Sequence, residues 1–196
     1  VSVQRHDGLS DASFDGEYSY YLFYATSSGG WTTETAGAVA DGEGEVVQIF
    51  ANGALPVPYD VHANGQTEVA GQGEALATLT ADGSALFQTL QRGSTSLNGQ
   101  RDGLGIFLKR NTAKAVTNAD FQGTYRVHEL RVAPDGTVTA PVGTVTAGGD
   151  GVFFGTLGGT DFDGRIELNP SGTFTLQGDS TFAGTVGAGG DLVAAV

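Results

Sequence analysis

The sequence predicts an all-β protein with two tandem antiparallel up-and-down β-barrels of about eight strands each, the second lacking its last strand in this chain. Aromatic-rich runs and runs of alternating apolar and polar residues favour strands. Asp-Gly and Asn-Gly dipeptides between the runs supply the positive φ angles that tight hairpins require. An internal repeat divides the 196 residues into two similar halves.

The repeat has a spacing of 107 residues. Phe14-Asp15-Gly16-Glu17-Tyr18 returns as Phe121-Gln122-Gly123-Thr124-Tyr125. Glycines return at the same spacing, as the pairs Gly42 and Gly149, Gly44 and Gly151, Gly65 and Gly172, and Gly83 and Gly190. Chance similarity between glycine-rich segments rarely keeps one spacing at several separate places. We therefore interpret the chain as two copies of one module.

Eight runs in the first copy are predicted as strands. They are residues 16–26, 31–40, 44–51, 57–63, 66–72, 75–81, 84–91 and 104–110. Even spacing with hairpin turns favours an up-and-down meander, and closure into a barrel removes the exposed edges of an open sheet. A sandwich of the same strands is the competing architecture.

The second copy supplies seven such runs, because Val196 aligns with Thr89 and residues 90–110 have no counterpart. Val3-Gln4-Arg5 echoes Leu108-Lys109-Arg110 instead. We therefore predict four segments: residues 1–9 as a strand equivalent to the missing last one, 10–111 as the first barrel, 112–119 as a linker, and 120–196 as the second, incomplete barrel.

The opening motif of each copy resembles that of the calycin barrels, the lipocalin and avidin group. That group opens with Gly-x-Trp, whereas this chain has Gly16-x-Tyr18 and Gly123-x-Tyr125. The resemblance implies a basic residue at the end of the last strand, packed over the aromatic ring. Arg110 would be that cation in the first copy and Arg5 in the second. Such a contact contributes about 1 kcal/mol when partly buried.

An eight-stranded barrel that lacks one strand has two unpaired edges, which invite another strand to pair. We predict that Val1, Val3 and Arg5 form the assembly strand, with Tyr125 as its neighbour in the second copy. The strand would come from the same chain or from the next one, giving a head-to-tail assembly. The alternative is that both termini are cut from a longer array.

Composition narrows the function. The net charge of −13 argues against nucleic acid as a partner, and no apolar run is long enough for membrane insertion. The chain has no cysteine, so disulfides and thiolate metal sites are excluded. Abundant Thr, Ser, Gly, Asn and Asp with only 9 Lys and Arg residues is common in exported bacterial surface proteins. We expect an exported protein, located extracellularly, at the cell surface or in the periplasm.

Catalytic and cofactor motifs are missing from the sequence. It contains no nucleophile elbow, phosphate loop or nucleophile–base pair, so we expect neither an enzyme nor a cofactor. His6, His62 and His128 lack the spacing of a transition-metal site and are interpreted as surface or interface residues.

Two acidic groups are weak candidates for binding calcium. Asp41, Glu43 and Glu45 lie in one glycine-rich turn, and Asp161 and Asp163 follow a similar turn in the second copy. Calcium takes six to eight oxygen ligands, which a single hairpin turn rarely gathers. A plain turn is therefore the favoured interpretation.

The aromatic residues are concentrated near the start of the first copy. Strand alternation puts Tyr18, Tyr20 and Tyr24 on one face and Tyr21 and Phe23 on the other, so both faces are apolar. One face would form the core. The other would pack against the partner barrel or stack on a sugar or small hydrophobe. The candidate ligand-binding residues are Tyr18, Tyr20, Tyr24 and Trp31.

The sequence therefore leaves two classes of function. We favour a non-enzymatic structural or interaction module of a larger surface protein or extracellular assembly, self-associating by β-strand donation through residues 1–5. Its partners would be other copies of itself or neighbouring domains of the same protein. The alternative is a calycin-like binding protein for a small apolar ligand or a carbohydrate.

Overall fold

A computed structural model describes residues 7–26, 29–69, 75–90, 103–110, 112–133, 135, 137–177, 179–187 and 193–195. The chain divides into two compact units between Arg110 and Asn111. We call the first the barrel unit and the second the open-sheet unit.

The barrel unit confirms the predicted closed antiparallel barrel and excludes the sandwich. Its strands are β1 (Asp15–Ala25), β2 (Trp31–Asp41), β3 (Glu45–Phe50), β4 (Gly53–Val61), β5 (Gln66–Val69), β6 (Ala75–Leu79), β7 (Ala85–Leu90) and β8 (Gly103–Lys109). Each strand pairs with the next, and β8 pairs with β1 to close the barrel. A 3-10 helix, Asp11–Ser13, precedes β1.

Strand β4 begins four residues before the predicted run of residues 57–63, and therefore includes Pro56 as well as Pro58, which the predicted run already contained. Both prolines pair with β3, opposite Val47 and Glu45. The neighbour on the other side, β5, pairs with β4 only over Tyr59–Val61. Because proline cannot donate to a ladder, it is tolerated where one edge of the strand carries no partner.

The open-sheet unit forms a curled half-barrel. Its strands are β9 (Gln122–His128), β10 (Arg131–Val132), β11 (Val138–Thr139), β12 (Val142–Gly148), β13 (Val152–Leu157), β14 (Thr160–Leu168), β15 (Thr173–Leu176), β16 (Asp179–Val186) and β17 (Val193–Ala195). Seven of them form one sheet in the order β17-β16-β15-β14-β13-β12-β9, and β10 pairs with β11. This agrees with a second barrel that lacks its last strand.

The repeat of 107 residues is also a repeat of structure. Strands β9 and β10 together begin and end at the residues equivalent to the ends of β1, and β11 with β12 does the same for β2. Backbone hydrogen bonds recur in the same way. Leu9 donates to Ala63 at 3.1 Å and Val116 donates to Pro170 at 2.9 Å. Of the repeated glycines, Gly190 lies outside the described residues.

Pro141 explains why the long hairpin of the first copy is interrupted in the second. It lies between β11 and β12, opposite the gap between β9 and β10. Its nitrogen carries no hydrogen to donate to the ladder, although its carbonyl accepts from the Glu129 backbone at 3.1 Å. The equivalent position in the barrel unit is Glu34, which continues β2 without a break.

Each unit has its own core. In the barrel unit it includes Tyr18 and Tyr20, at 0% and 1% exposed, together with Phe107 from β8. In the open-sheet unit the core is formed around Phe121, Phe174 and Val186. Within the described ranges, no helix has the length and apolar character needed to cross a membrane.

Candidate functional site

One end of the barrel is closed by aromatic rings and the 3-10 helix, and we call this end the floor. The ring of Phe14 lies 4.6 Å from that of Tyr18 and 5.1 Å from that of Tyr59. The Tyr18 hydroxyl donates to the Gly83 carbonyl at 3.0 Å, and the Tyr59 hydroxyl donates to the Phe14 carbonyl at 2.8 Å. Asp11 also joins the 3-10 helix to β4, because its carboxylate accepts a hydrogen bond from the Val61 backbone at 2.7 Å.

The two floor phenols are held in their neutral form. Burial raises the pKa of Tyr59 to about 12. Burial also raises the pKa of Tyr18 well above its ordinary value, and the negative charge of Asp15 adds to the shift. Both hydroxyls are thereby retained as donors to backbone carbonyls, which is a structural role.

Lys109 is the cation over the opening aromatic ring. Its Nζ lies 5.8 Å from the centroid of the Tyr18 ring. The expected cation was Arg110, whose Nη1 instead lies 3.5 Å from a carboxylate oxygen of Glu17. The register explains the correction, because Lys109 stands directly opposite Tyr18 in the β1–β8 ladder, on the same face of the sheet.

Strand β8 completes the barrel through close packing on β1. Phe107 stacks on Tyr20 with ring centroids 3.9 Å apart and an interplanar angle of 13°. A Cβ added to Gly105 would lie 2.9 Å from the Tyr20 ring, so the ring requires a residue without a side chain there. The closing strand is therefore matched to its neighbour residue by residue.

The open-sheet unit carries the same opening strand with one side uncovered. Strand β9 pairs with β12, and among the described residues no strand pairs with its other side, which we call the free edge. Thr124, Arg126 and His128 are exposed, and Tyr125 and Val127 are only half-buried. In the barrel unit the equivalents of those two, Tyr18 and Tyr20, are fully buried in the core, and β8 pairs with their strand.

The opening motif of the open-sheet unit differs from its barrel equivalent in ring geometry and in the space beside its glycine. The ring centroids of Tyr125 and Phe121 lie 5.2 Å apart with an interplanar angle of 29°, whereas those of Tyr18 and Phe14 lie 4.6 Å apart and are tilted by 47°. A Cβ built on Gly16 would lie 3.3 Å from Cε of Lys109, whereas one built on Gly123 meets nothing within 4 Å among the described residues.

Of the predicted assembly residues, the structure describes only the one on the acceptor strand, Tyr125. Tyr125 lies on β9, beside the free edge. Val1, Val3 and Arg5 lie outside the described residues, as does His6.

The candidate ligand-binding residues do not form one group. Tyr18, Tyr20 and Tyr24 belong to the barrel core, and the Tyr24 hydroxyl donates to a carboxylate oxygen of Glu34 at 3.1 Å. Trp31 is 40% exposed and stacks on Phe23, with ring centroids 5.0 Å apart. Since Phe23 alternates with Tyr24 along β1, Trp31 lies on the opposite face from the three tyrosines.

Polar groups inside the barrel were missed by sequence reasoning. The Tyr20 hydroxyl donates to Gln88 Oε1 at 3.1 Å. Gln48 is 2% exposed, and its Nε2 has no hydrogen-bond partner in the described part of the chain. Val46, Gln48 and Phe50 share one face of β3, but Val47 and Ile49 on the other face are as apolar, so the sequence pattern does not indicate which face is buried.

The acidic candidates for calcium binding either accept hydrogen bonds from the backbone or lie apart along a strand. Asp41 Oδ1 accepts from the Glu43 and Glu45 backbone at 2.8 Å and 2.9 Å, and these bonds lower the pKa of the exposed Asp41 carboxyl. Asp161 and Asp163 lie two residues apart on β14, opposite Thr156 and Phe154. In the ranges that the structure describes, no three acidic or histidine side chains are grouped so as to hold a metal ion.

No protein-family model matches this sequence. No curated protein and no solved structure matches it either.

Proposed function

We propose that the protein is a non-enzymatic structural module that self-associates by β-strand donation, with the free edge of β9 as the acceptor and residues 1–5 of another copy as the donor. The observation that supports this most is the free edge itself. The equivalent edge of β1 is covered by β8 in the barrel unit.

The free edge has the chemistry of a strand acceptor. In the barrel unit, the Arg110 backbone donates to the Glu17 carbonyl at 2.8 Å, so the peptide groups of Glu17 face β8. Alternation gives the same orientation to Ser19 and Tyr21, and hence to their repeat equivalents Arg126 and His128. An incoming antiparallel strand would satisfy these backbone groups and cover Tyr125 and Val127.

A heterologous contact of this kind joins the donor end of one copy to the acceptor unit of the next, forming a ring or a fibre. The proposal includes export, because a self-assembling surface module needs access to other copies outside the cell. The net charge of −13 keeps single chains soluble before they assemble.

The solution mass across a concentration series tests the proposal. Light scattering on the full chain should detect oligomers that grow with concentration, whereas a chain lacking residues 1–5 should stay monomeric. Oligomers of equal size in both proteins would contradict donation through these residues.

A matched pair of proline variants identifies the acceptor. Arg126→Pro removes a backbone N–H that faces the free edge. It should abolish association between copies, whereas the pairing of β9 with β12 should remain intact. Thr144→Pro on β12 lies opposite Arg126 and perturbs the interior of the sheet instead. Association that survives Arg126→Pro would exclude the free edge as the acceptor.

A second candidate function is supported by Gln48. A buried amide without a partner costs about 1–3 kcal/mol, which a hydrogen-bonding ligand or water inside the barrel would offset. This would make the barrel unit a calycin-like binding protein, consistent with the Gly-x-Tyr openings and the closed floor. An exposed Trp31 on the outer face favours carbohydrate as an alternative ligand.

Native mass spectrometry of the purified chain tests this second candidate. A bound small molecule that disappears in Gln48→Leu would support it. A bare protein mass, with no change in Trp31 fluorescence on adding sugars, would argue against both ligands.

A further inference from the structure

We infer that Asn52-Gly53 in the barrel unit is a site of spontaneous covalent modification, at which the Asn52 side chain is converted to aspartate or isoaspartate. The chemical class of the reaction is deamidation, and its only co-reactant is water. It needs no second copy of the chain, so it does not rest on strand donation.

Asparagine followed by glycine is the dipeptide in which this reaction meets least hindrance. The carboxamide carbon of asparagine can close a five-membered ring with the backbone nitrogen of the next residue, and glycine has no Cβ to obstruct the approach. The sequence contains three such dipeptides, Asn52-Gly53, Asn64-Gly65 and Asn98-Gly99. Asn98-Gly99 lies outside the described residues, so the comparison is between the first two.

The reaction proceeds in two steps without oxidation or reduction. The Gly53 nitrogen bonds to Asn52 Cγ, the bond between Cγ and Nδ2 breaks, and the proton of the Gly53 nitrogen leaves with Nδ2 as ammonia. Water then opens the resulting succinimide ring. Attack of water at Cγ gives aspartate. Attack at the Asn52 main-chain carbonyl carbon gives isoaspartate, in which the chain continues through the side chain.

Asn52 lies in a turn that leaves room for this ring. Ala51 and Asn52 connect β3 to β4, and Phe50 pairs with Gly53 to close the hairpin. Residues 51–53 are all exposed. A Cβ built on Gly53 meets nothing within 4 Å among the described residues, and the Asn52 side chain makes no hydrogen bond in that part of the chain. Neither packing nor a bond to the carboxamide therefore opposes ring closure.

Asn64 has the same following residue but is held in place. Its Oδ1 accepts a hydrogen bond from the Gln66 backbone at 3.0 Å. Gly65 is buried, and a Cβ built on it would lie 3.0 Å from the Leu79 carbonyl oxygen and 3.0 Å from Leu9 Cδ1. Ring closure at Asn64 must break the bond to Gln66 and displace packed neighbours. The fold therefore protects one Asn-Gly dipeptide and exposes the other.

Conversion of Asn52 changes the hairpin tip in charge and in length. Both products carry a new negative charge, and isoaspartate adds a methylene carbon to the main chain between Phe50 and Gly53. Phe50 packs against the barrel core, with its ring centroid 6.4 Å from that of Tyr20. The change therefore occurs beside a core residue. The second copy has Gly159-Thr160 at the equivalent position, so the modification distinguishes the two units.

Incubation of the folded full chain at mildly alkaline pH, followed by peptide mass spectrometry, tests the inference. Chymotrypsin cleaves after Tyr59 and so separates residue 52 from residue 64, and an isoaspartyl methyltransferase labels isoaspartate selectively. Breaking one hydrogen bond slows a reaction by about fivefold. Since packing around Gly65 adds to this, we expect Asn52 to react more than about fivefold faster than Asn64.

The unfolded chain and two matched variants provide the controls. In concentrated denaturant the two sites should react at similar rates, because the protection of Asn64 is lost. Asn52→Gln should remove the product at position 52, since glutamine would have to close a less favourable six-membered ring, whereas Asn64→Gln should leave that product unchanged. Equal rates at the two sites in the folded chain, or reaction at position 52 only after denaturation, would overturn the inference.

Discussion

The barrel unit and the open-sheet unit are built from one repeated sequence, yet the side chains of their opening strands differ in how deeply they are buried. In the barrel unit, Tyr18 is 0% exposed because β8 lies beside β1. In the open-sheet unit the equivalent Tyr125 also lies against the ring of the preceding phenylalanine, Phe121, but it remains half-buried among the described residues. The phenylalanine–tyrosine contact of the opening motif is therefore present in both units, whereas the angle between the rings and the burial of the tyrosine differ.

The comparison also indicates where each unit gains stability. Strand β8 supplies Phe107 to the barrel core, where it packs on both Tyr20 and Phe14. No described strand performs this role on β9. We therefore expect the barrel unit to be the more stable of the two in a single chain, and the open-sheet unit to gain stability on assembly.

The largest effect should come from weakening the closing strand. Phe107→Ala removes a side chain that is 1% exposed, and burial of this kind is worth about 3–5 kcal/mol. Chemical denaturation followed by Trp31 fluorescence measures the barrel unit alone, since Trp31 is the only tryptophan. The control is Ile49→Ala, on β3 of the same unit, at a side chain that is 47% exposed. A loss below about 1 kcal/mol for Phe107→Ala would contradict the role of β8.

Alkaline pH should destabilise the barrel unit through its floor. The unfolded state of Tyr59 titrates near 10.0, whereas burial raises the folded pKa to about 12. The folded state holds its proton more tightly, so this contribution is complete below pH 10 and is lost as pH rises through 12. We expect the stability gap between wild type and Tyr59→Phe to narrow over this window. A difference in stability between these two proteins that does not change with pH would contradict the raised pKa of folded Tyr59.

A matched pair of substitutions compares the two opening strands directly. The Tyr18 hydroxyl donates to the buried Gly83 carbonyl at 3.0 Å, whereas the Tyr125 hydroxyl donates to the exposed Gln122 carbonyl at 3.4 Å. Tyr18→Phe leaves a buried acceptor unpaired and should cost about 1–3 kcal/mol. Tyr125→Phe should change stability by less than about 0.5 kcal/mol. Equal losses of stability in the two variants, measured by thermal unfolding, would contradict the different roles of the two hydroxyls.

The smallest expected effect lies at the 3-10 helix Asn118–Asp120, which precedes β9. Hydrogen bonds from Lys114 and Thr117 lower the pKa of Asp120 from 3.8 to about 2. Its contribution is therefore present above pH 3.8 and is lost as pH falls toward 2. Asp120→Asn should increase exchange of the Thr117 amide at neutral pH but not near pH 2. The equivalent residue in the barrel unit, Ser13, does not titrate.

Much of the fold was predictable because strand periodicity, hairpin dipeptides and the repeat all indicated the same architecture. The start of β4 was missed although the predicted run of residues 57–63 contained Pro58, and only the sheet reveals that the outer edge near Pro56 is unpaired. The interruption of the second hairpin at Pro141 likewise required knowing its partner strand.

The roles of the site residues were less predictable, because the register of a strand decides which of its side chains face the core. Assigning the cation to Arg110 instead of Lys109 is an error of one residue, which exchanges inside and outside. Gln48 was missed because Val47 and Ile49 are as apolar as Val46 and Phe50, so the pattern of β3 does not identify its buried face. The structure gives Ile49 as 47% exposed.

Amide hydrogen exchange at two protein concentrations tests the central claim most directly. Arg126 and His128 on the free edge should exchange rapidly in dilute monomer and become protected in the concentrated oligomer. Their equivalents Ser19 and Tyr21, opposite Leu108 and Ile106 of β8, should stay protected at both concentrations. Protection of Arg126 and His128 that is equal in monomer and oligomer would contradict strand donation at this edge.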